Sequence, residues 1–246
     1  MATNTGETEP GSVAIDDRSA ELLDKLCLVL DMDDLVAARR MAQSVKPYFG
    51  VAKVGPILWS AAGPESVAAL IGMGYKVFVD LKLHDIPNTV GGAAQVLGSL
   101  GVSYVTMHAH GGVAMLSAGV EGLHAGAARA GLPTPTALAV TVLTSDADAP
   151  DHIVPKRLRV AMEGGCGGIV CAATDLADIS AIAPRMIKVT PGIRPTGSSA
   201  DDQARTATPR AALDAGSNLL VIGRPVTAAE DPVAAAAAIH DSITED

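Results

Sequence analysis

The sequence predicts an α/β protein, specifically a single-domain (β/α)8 or TIM barrel. Short apolar runs alternate with longer amphipathic or alanine-rich segments along most of the chain, which is the pattern of repeated βα units around a parallel sheet. Eight such runs are present, and eight units favour a closed barrel over an open sheet. Aromatic residues make up only 2% of the sequence, so we expect the aliphatic core that fills such barrels.

The eight predicted strands occupy residues 26–31, 50–54, 77–82, 104–108, 137–142, 168–171, 186–190 and 219–222. Residues 1–20 are rich in Thr, Gly, Glu and Ser, and we expect a flexible tail there. The barrel domain is therefore expected to span residues 21–246, with an alanine-rich closing helix at 228–239. Active sites of these barrels lie at the carboxyl ends of the strands, so the polar residues that end each run are the functional candidates.

The composition argues against several classes of protein. A formal net charge of -9 offers no basic surface for nucleic acid or for a membrane. The N-terminus lacks the basic start and apolar stretch of a signal peptide, and no run approaches the roughly 18 apolar residues that span a bilayer. Three cysteines in no zinc-binding pattern predict buried, reduced thiols. We therefore expect a soluble cytoplasmic protein that binds neither nucleic acid nor membrane.

The third predicted strand ends in a charged string, DLKLHDIPNT, which begins at Asp80. Alternation along a strand places Asp80 and Lys82 on the same side, and Asp85 follows in the loop before Pro87, which commonly opens a helix. Lys53 interrupts the apolar second strand, and a buried lysine needs a partner. The neighbouring Asp80 and Lys82 are the nearest, so we predict an alternating charge array of Lys53, Asp80, Lys82 and Asp85. A lone D-x-K pair would more often be a structural ion pair.

The ten-residue string resembles the signature of the orotidine 5'-monophosphate decarboxylases. This resemblance implies a carboxy-lyase that uses no cofactor or metal and converts orotidine 5'-monophosphate to uridine 5'-monophosphate (UMP) and carbon dioxide, the last step of de novo pyrimidine biosynthesis. It implies Lys82 as the proton donor, with Lys53, Asp80 and Asp85 as the other catalytic residues. It also implies a homodimer in which Asp85, Ile86 and Thr89 reach the partner's site. Substrate contacts are implied for Lys53 and for Asp80, Leu81, Lys82, Leu83, His84, Asp85, Ile86, Pro87, Asn88 and Thr89.

The chemistry of the reaction agrees with this array. Loss of carbon dioxide from C6 of the pyrimidine leaves a carbanion-like centre with no conjugated sink, so a fixed cation must stabilise it. Lys82, held charged between Asp80 and Asp85, can stabilise that centre and then protonate it. Crowding of the substrate carboxylate against Asp80 is a second candidate effect, but we base the mechanism on Lys82.

The ends of strands 1, 4 and 5 add further candidates. Asp31 ends strand 1, and because Asp33 or Asp34 can cap the next helix, Asp31 is left to bind sugar hydroxyls, as the resemblance implies. His108 and His110 share a face after strand 4, but no carboxylate or cysteine cluster accompanies them, so we expect packing rather than metal binding. His84 either packs behind the array or orients it. Thr144 after strand 5 either caps the following segment or contacts the nucleotide, as the resemblance implies.

The segments after strands 7 and 8 predict a phosphate site. A long polar loop rich in Pro and Gly, residues 190–205, has Arg194 near its start and Gln203 near its end, and such long loops are often lids. Strand 8 is followed by Gly223 and Arg224, where backbone N–H groups and a guanidinium can hold a phosphate. A solvated loop would explain the composition alone, but not the position of the loop on the functional face.

Two other functions remain open at this stage. A hexulose-phosphate synthase, which is a magnesium-dependent aldolase, has the same D-x-K-x-x-D strand, and its chemistry needs carboxylates around a metal. Lys53 and the long loop argue for the nucleotide instead. A non-catalytic barrel that binds a phosphate ligand would keep Gly223 and Arg224 but would have no use for the charge array.

Overall fold

The computed structural model describes residues 17–143, 146, 150, 152–195 and 206–244, with the backbone only for 17–19. Its strands form a closed barrel. They are β1 Leu26–Leu30, β2 Val51–Val54, β3 Lys76–Leu83, β4 Tyr104–His108, β5 Thr136–Val140, β6 Gly168–Val170, β7 Ile187–Thr190 and β8 Leu219–Ile222. All pair in parallel in chain order, and β8 pairs with β1. The predicted fold class is therefore confirmed, and every strand end lies within two residues of its predicted position.

Helices connect the strands around the outside of the barrel. They are α1 Asp17–Asp24, α2 Leu35–Val45, α3 Pro56–Ala62, α4 Pro64–Gly72, α5 Pro87–Gly98, α6 Gly112–Ala130, α7 Ile153–Glu163, α8 Leu176–Ile182, α9 Pro209–Asp214, α10 Arg224–Thr227 and α11 Pro232–Thr244. As predicted, α5 begins at Pro87. Within the described ranges, no helix is both long and apolar enough to cross a membrane.

Both ends of the chain differ from the sequence-based boundaries. The first helix begins at Asp17, inside the segment that composition assigned to the tail, and residues 1–16 lie outside the described residues. The expected closing helix at 228–239 is wrong in its bounds, because α11 starts only at Pro232. The carboxylate of Asp231 accepts the N–H groups of Val233 and Ala234 at 2.9 and 3.0 Å, which caps the helix there.

Side-chain alternation along the strands divides the aliphatic core into two parts. A small cluster inside the barrel contains alternate strand residues such as Cys27, Val51 and Leu138. A larger cluster, which includes Leu28 and Leu30, fills the space between the outer faces of the strands and the helices. All three cysteines are buried and none forms a disulfide, as predicted.

Strand β3 contains an irregularity at its carboxyl end. Val79 pairs with Val105 and Leu83 pairs with Met107, so residues 80–82 of β3 lie opposite the single β4 residue Thr106. Lys82, within this bulge, has a φ of +50°, and it is the only non-glycine residue with positive φ in the described part of the chain. Such a backbone conformation costs roughly 1–3 kcal/mol and persists only where the surroundings enforce it.

Helix α5, which follows this strand and its loop, packs very closely on α6. The contact depends on glycines, because a Cβ on Gly98, Gly122 or Gly126 would lie 2.0–2.1 Å from a carbonyl oxygen of the facing helix. No side chain fits at that distance, so the two backbones are in direct contact. This contact fixes the position of α5 relative to the barrel, immediately after the charged string.

Candidate active site

The centre of the site is the carboxylate of Asp80, which bridges two ammonium groups. Lys53 Nζ lies 2.9 Å from Oδ2 of Asp80, and Lys82 Nζ lies 2.9 Å from Oδ1. Lys53 and Asp80 are each only 8% exposed. The partner that the sequence predicted for the buried lysine of strand 2 is therefore confirmed.

The charge state of Asp80 follows from these contacts. Burial by itself would raise the pKa of the carboxyl group, but the two neighbouring ammonium groups outweigh burial and lower the pKa from 3.8 to about 2. The group is therefore ionised throughout the neutral range. The cluster of one carboxylate and two ammonium groups has a net positive charge. Such a charge suits a site where negative charge develops during a reaction.

A buried hydroxyl that the sequence analysis did not assign completes this cluster. Thr106 Oγ1 donates to Oδ1 of Asp80 at 2.9 Å, and it accepts the backbone N–H of Lys82 at 2.9 Å. Thr106 is fully buried. The available signal was a hydroxyl inside the apolar fourth strand, two residues before His108 and therefore on the same side of the strand.

The side chains of Lys53, Asp80 and Lys82 line a cavity of about 370 Å³ at the carboxyl ends of the strands. Valines from several strands, among them Val29, Val170 and Val221, form its apolar wall. The polar part of the lining also includes Thr227 of α10, which the sequence analysis did not identify. The charged residues that line the cavity are Asp31, Lys53, Asp80, Lys82, Arg194 and Arg224.

Asp31 lines the cavity and, as predicted, leaves the capping of α2 to another aspartate, but its carboxylate is not free, because it caps α3. Asp34 caps α2, as predicted, by accepting the N–H of Val36 at 2.7 Å. Asp31 Oδ1 instead accepts the N–H groups of Ile57 and Leu58 at 2.8 and 3.2 Å and so caps α3. Gly55 makes this approach possible, because a Cβ there would lie 2.4–2.6 Å from the Asp31 carboxylate.

Most of the charged string lies outside the cavity of its own chain. Leu81 and Leu83 pack against the outer core. Within the described part of the chain, Asp85 is exposed and forms no ion pair with Lys82, so one chain supplies three of the four predicted members of the array. The following residues are also exposed, with Ile86 65% exposed. The exposed members of the string are His84, Asp85, Ile86, Pro87, Asn88 and Thr89.

Three imidazoles pack together beside the array. The ring centroid of His84 lies 5.6 Å from those of both His108 and His110. Burial, reinforced by the charge of Arg157 and by the other two rings, lowers the pKa of His108 to about 4, so this ring is neutral at physiological pH. Among the described residues, no group of three or more His, Cys, Asp or Glu side chains is arranged to hold a metal ion.

The predicted phosphate-binding residues lie on one side of the cavity. Arg194, which is 7% exposed, follows β7, and Gly223 and Arg224 follow β8. The two ends of the long loop are joined by a β-bridge between Ile193 and Ala207, with Arg194 N–H donating to Ala207 O at 2.9 Å. The candidates Thr144 and Gln203 lie outside the described residues.

Comparison with known proteins gives a consistent set of relatives. A model of the orotidine 5'-phosphate decarboxylase / HUMPS family matches residues 24–239. The orotidine 5'-phosphate decarboxylase of Moorella thermoacetica is 44% identical over 232 residues, which cover 89% of this chain and 92% of that protein. The enzyme of the same name from Lactiplantibacillus plantarum is 47% identical over 205 residues, 78% of this chain and 85% of that protein.

Solved structures agree with the sequence relatives. The crystal structure of orotidine 5'-phosphate decarboxylase from Lactobacillus acidophilus matches with a TM-score of 0.76 and 35% identity, covering 89% of this chain and 99% of that one. The decarboxylase from Pyrococcus horikoshii matches with a TM-score of 0.70 and 26% identity over 90% of this chain and 100% of that one. The family model, the identities and the shared barrel together show that this chain belongs to the orotidine 5'-phosphate decarboxylase / HUMPS family.

Proposed function

We propose that this protein is a carboxy-lyase that converts orotidine 5'-monophosphate to UMP and carbon dioxide, the last step of pyrimidine biosynthesis. The observation that carries this conclusion is the Lys53–Asp80–Lys82 array, held at 2.9 Å contacts in a cavity that also contains two arginines. The relatives named above, all orotidine 5'-phosphate decarboxylases, support the same reaction.

Lys82 is the proton donor in this proposal. When the bond between C6 and the carboxylate breaks, its electron pair stays on C6, and the ammonium of Lys82 faces that developing charge. A proton of Lys82 then forms the new C6–H bond, and carbon dioxide leaves without taking a proton. The side chain of Lys82 is 35% exposed, which allows it to reach into the cavity while Asp80 fixes its direction.

The phosphate is held at the opposite end of the substrate. Arg194 and Arg224 supply two guanidinium groups to one side of the cavity, and Gly223 allows the backbone to approach. Gln203 and Thr144, with Asp31 on the sugar, complete the proposed contacts. Binding energy from this remote group can align the base against Lys82, which raises kcat as well as affinity.

A homodimer is the second part of the proposal. Asp85, Ile86 and Thr89 are exposed on the loop and on the first turn of α5, away from the cavity of their own chain. Ile86 in particular is a large apolar side chain that is 65% exposed, and such a residue favours a protein contact. We place these three residues in the active site of the partner subunit, where Asp85 flanks Lys82 from the side opposite Asp80.

We also propose that the enzyme works in the cytoplasm through a decarboxylase domain that takes in residues 21–246 together with the start of α1 at Asp17. The three unbridged thiols support a reducing compartment. The family match over residues 24–239 supports the extent of the domain.

The aldolase chemistry of the wider family fits this donor set poorly. Both oxygens of Asp80 are already engaged by ammonium groups, Oδ2 by Lys53 and Oδ1 by Lys82. A magnesium ion bound to that carboxylate would therefore lie next to two positive charges, which repel it. The array favours the stabilisation of a carbanion by cations over the stabilisation of an enediolate by a metal.

The direct test is the turnover of orotidine 5'-monophosphate, followed by loss of its ultraviolet absorbance in the presence of a metal chelator. The unsubstituted protein is expected to be active, and Lys82→Ala is expected to lose at least about 1000-fold in kcat because it removes both the cation and the acid. Lys76→Ala, which removes an exposed lysine paired with Asp24, is the matched control and should keep full activity. Unchanged turnover in Lys82→Ala would remove the proposed acid, and activity that requires added magnesium would favour the aldolase.

A further inference from the structure

We propose that Thr106 is a positioning residue that holds the proton donor and its carboxylate partner in their catalytic arrangement. This inference rests on the proposed function, since it assigns Thr106 a part in the reaction at Lys82. Thr106 does not line the cavity, so it acts through Asp80 and Lys82 rather than on the substrate.

The first step of the argument is the position of Thr106 in the sheet. It is the single β4 residue opposite the three residues 80–82 of β3, where the regular ladder between the strands is interrupted. A buried backbone N–H that loses its ladder partner must find another acceptor. The side-chain oxygen of Thr106 fills this need for Lys82 at 2.9 Å.

The second step is the direction of the two hydrogen bonds. The backbone N–H of Lys82 can only donate, so Thr106 Oγ1 accepts from it. Asp80 is ionised and can only accept, so the single hydroxyl proton of Thr106 points to Oδ1 of Asp80. The chain of bonds from backbone N–H through hydroxyl to carboxylate therefore has one possible direction, and one side chain connects the backbone of Lys82 to the group that binds its ammonium.

The third step is the conformation that these bonds maintain. Lys82 has a φ of +50°, which a lysine adopts only under constraint. Asp80 Oδ1 accepts from Lys82 Nζ and from the Thr106 hydroxyl, which in turn accepts the backbone N–H of Lys82. Asp80 and Thr106 together therefore fix both the ammonium group and the backbone of Lys82. Loss of the hydroxyl would free the backbone of Lys82 and remove one donor from Asp80, and the ammonium would no longer point at a defined atom of the substrate.

The experiment compares Thr106→Val, which has nearly the same shape but no hydroxyl, with Thr106→Ser, which keeps the hydroxyl. Thr106→Val is expected to lower kcat about 10- to 100-fold while KM changes less than about threefold, because the reacting group is misplaced and the binding contacts remain. Thr106→Ser is expected to recover kcat to within about threefold of the unsubstituted protein. Thr106→Val with an unchanged kcat would overturn the proposal.

Thr190→Val is the matched control for a general loss of stability. Thr190 is also a fully buried threonine, at the end of β7, and its Oγ1 accepts from Ser217 Oγ at 2.8 Å rather than contacting Lys53, Asp80 or Lys82. The Thr190→Val protein should have a lower melting temperature but an unchanged kcat. An equal loss of kcat in both valine variants would assign the effect to stability and would overturn the proposal. If Thr106→Val does not fold, Thr106→Cys takes its place, since a thiol of similar size is only a weak donor and acceptor.

Crystal structures of the same variants test the geometry without any substrate. In Thr106→Val, Lys82 is expected to leave its φ of +50° or to lose the 2.9 Å contact between its Nζ and Asp80. If both features were unchanged, the assignment would be wrong. The parent protein in the turnover assay tests the proposed function separately, so an inactive parent would reject decarboxylation while the crystal structures still decide what Thr106 holds in place.

Discussion

The side chain of Asp31 both caps a helix and lines the cavity. Its Oδ1 accepts the first N–H groups of α3, from Ile57 and Leu58, while the carboxylate also lines the cavity. Asp34, three residues later, only caps α2 through Val36. The two aspartates are therefore natural controls for each other, because they share the capping function and differ in their access to the ligand.

Substitution of each aspartate by alanine should separate the two effects. Asp31→Ala and Asp34→Ala are each expected to lower the free energy of unfolding by about 1 kcal/mol, the usual contribution of a helix cap. Only Asp31→Ala should also raise KM for orotidine 5'-monophosphate, because it removes an acceptor from the cavity. Urea unfolding and steady-state kinetics measure the two quantities. If Asp34→Ala raised KM as much, the effect of Asp31 would be structural.

At this scale the sequence predicted the pairing that opposite charges require, and it missed the hydrogen bonds that polar side chains accept from backbone N–H groups. The pairing of Lys53 with Asp80 was predictable because a buried ammonium must have a partner on a neighbouring strand. The capping of α3 by Asp31 was not, because an aspartate can accept from any nearby backbone N–H group and the start of α2 was closer in the sequence. Thr106 was missed because a threonine hydroxyl accepts a backbone N–H of the neighbouring strand only where the regular hydrogen bonding between the strands is interrupted.

Among the elements, the α5–α6 pair depends on backbone contact rather than on side chains. Gly126 of α6 faces Gln95 O of α5 so closely that a Cβ would lie 2.0 Å from that oxygen. Gly92 lies on the exposed side of α5, and a Cβ there would meet nothing within 4 Å. The same substitution should therefore have opposite effects at the two positions.

Gly126→Ala is expected to lower the free energy of unfolding by about 1–3 kcal/mol, because the helices must separate to admit the methyl group. Gly92→Ala should raise it by about 0.5–1 kcal/mol, because alanine loses less backbone freedom than glycine when a helix forms. Thermal or denaturant unfolding of both variants measures the difference. A stabilised Gly126→Ala protein would show that the helices are not in backbone contact.

The positions of the strands were the most predictable feature of the elements, because a short aliphatic run between polar segments of an α/β chain is typical of a buried strand. The bulge in β3 was not predictable, since it is a property of the register between two strands and not of either sequence alone. The start of the last helix was predictable in principle, because Asp231 before Pro232 is a helix-start signal. The alanine-rich composition around it concealed that signal.

For the molecule as a whole, the proposed shared sites make activity a property of two chains. Lys82 lines the cavity of its own chain, whereas Asp85 is exposed outside it. Lys82→Ala and Asp85→Ala proteins should therefore each be nearly inactive for different reasons. In a mixed dimer, the Asp85→Ala chain supplies Lys82 and its partner supplies Asp85, which restores one complete site.

Mixing the two inactive proteins after subunit exchange is expected to recover about a quarter of the activity of the unsubstituted enzyme, because half of the randomly paired dimers are mixed and each has one intact site. Two preparations of the same variant, mixed in the same way, should recover nothing. A mixture that stayed inactive although size-exclusion chromatography showed exchanged dimers would refute the sharing of Asp85.

The β-bridge between Ile193 and Ala207 has a consequence for engineering. Its hydrogen bonds, Arg194 N–H to Ala207 O and Ala207 N–H to Gly192 O, hold both ends of the intervening segment at the barrel. The hydrogen bonds that offset the entropy cost of closing this loop therefore lie outside residues 196–205. Changes in the length or composition of that stretch are therefore expected to leave the melting temperature of the barrel nearly unchanged.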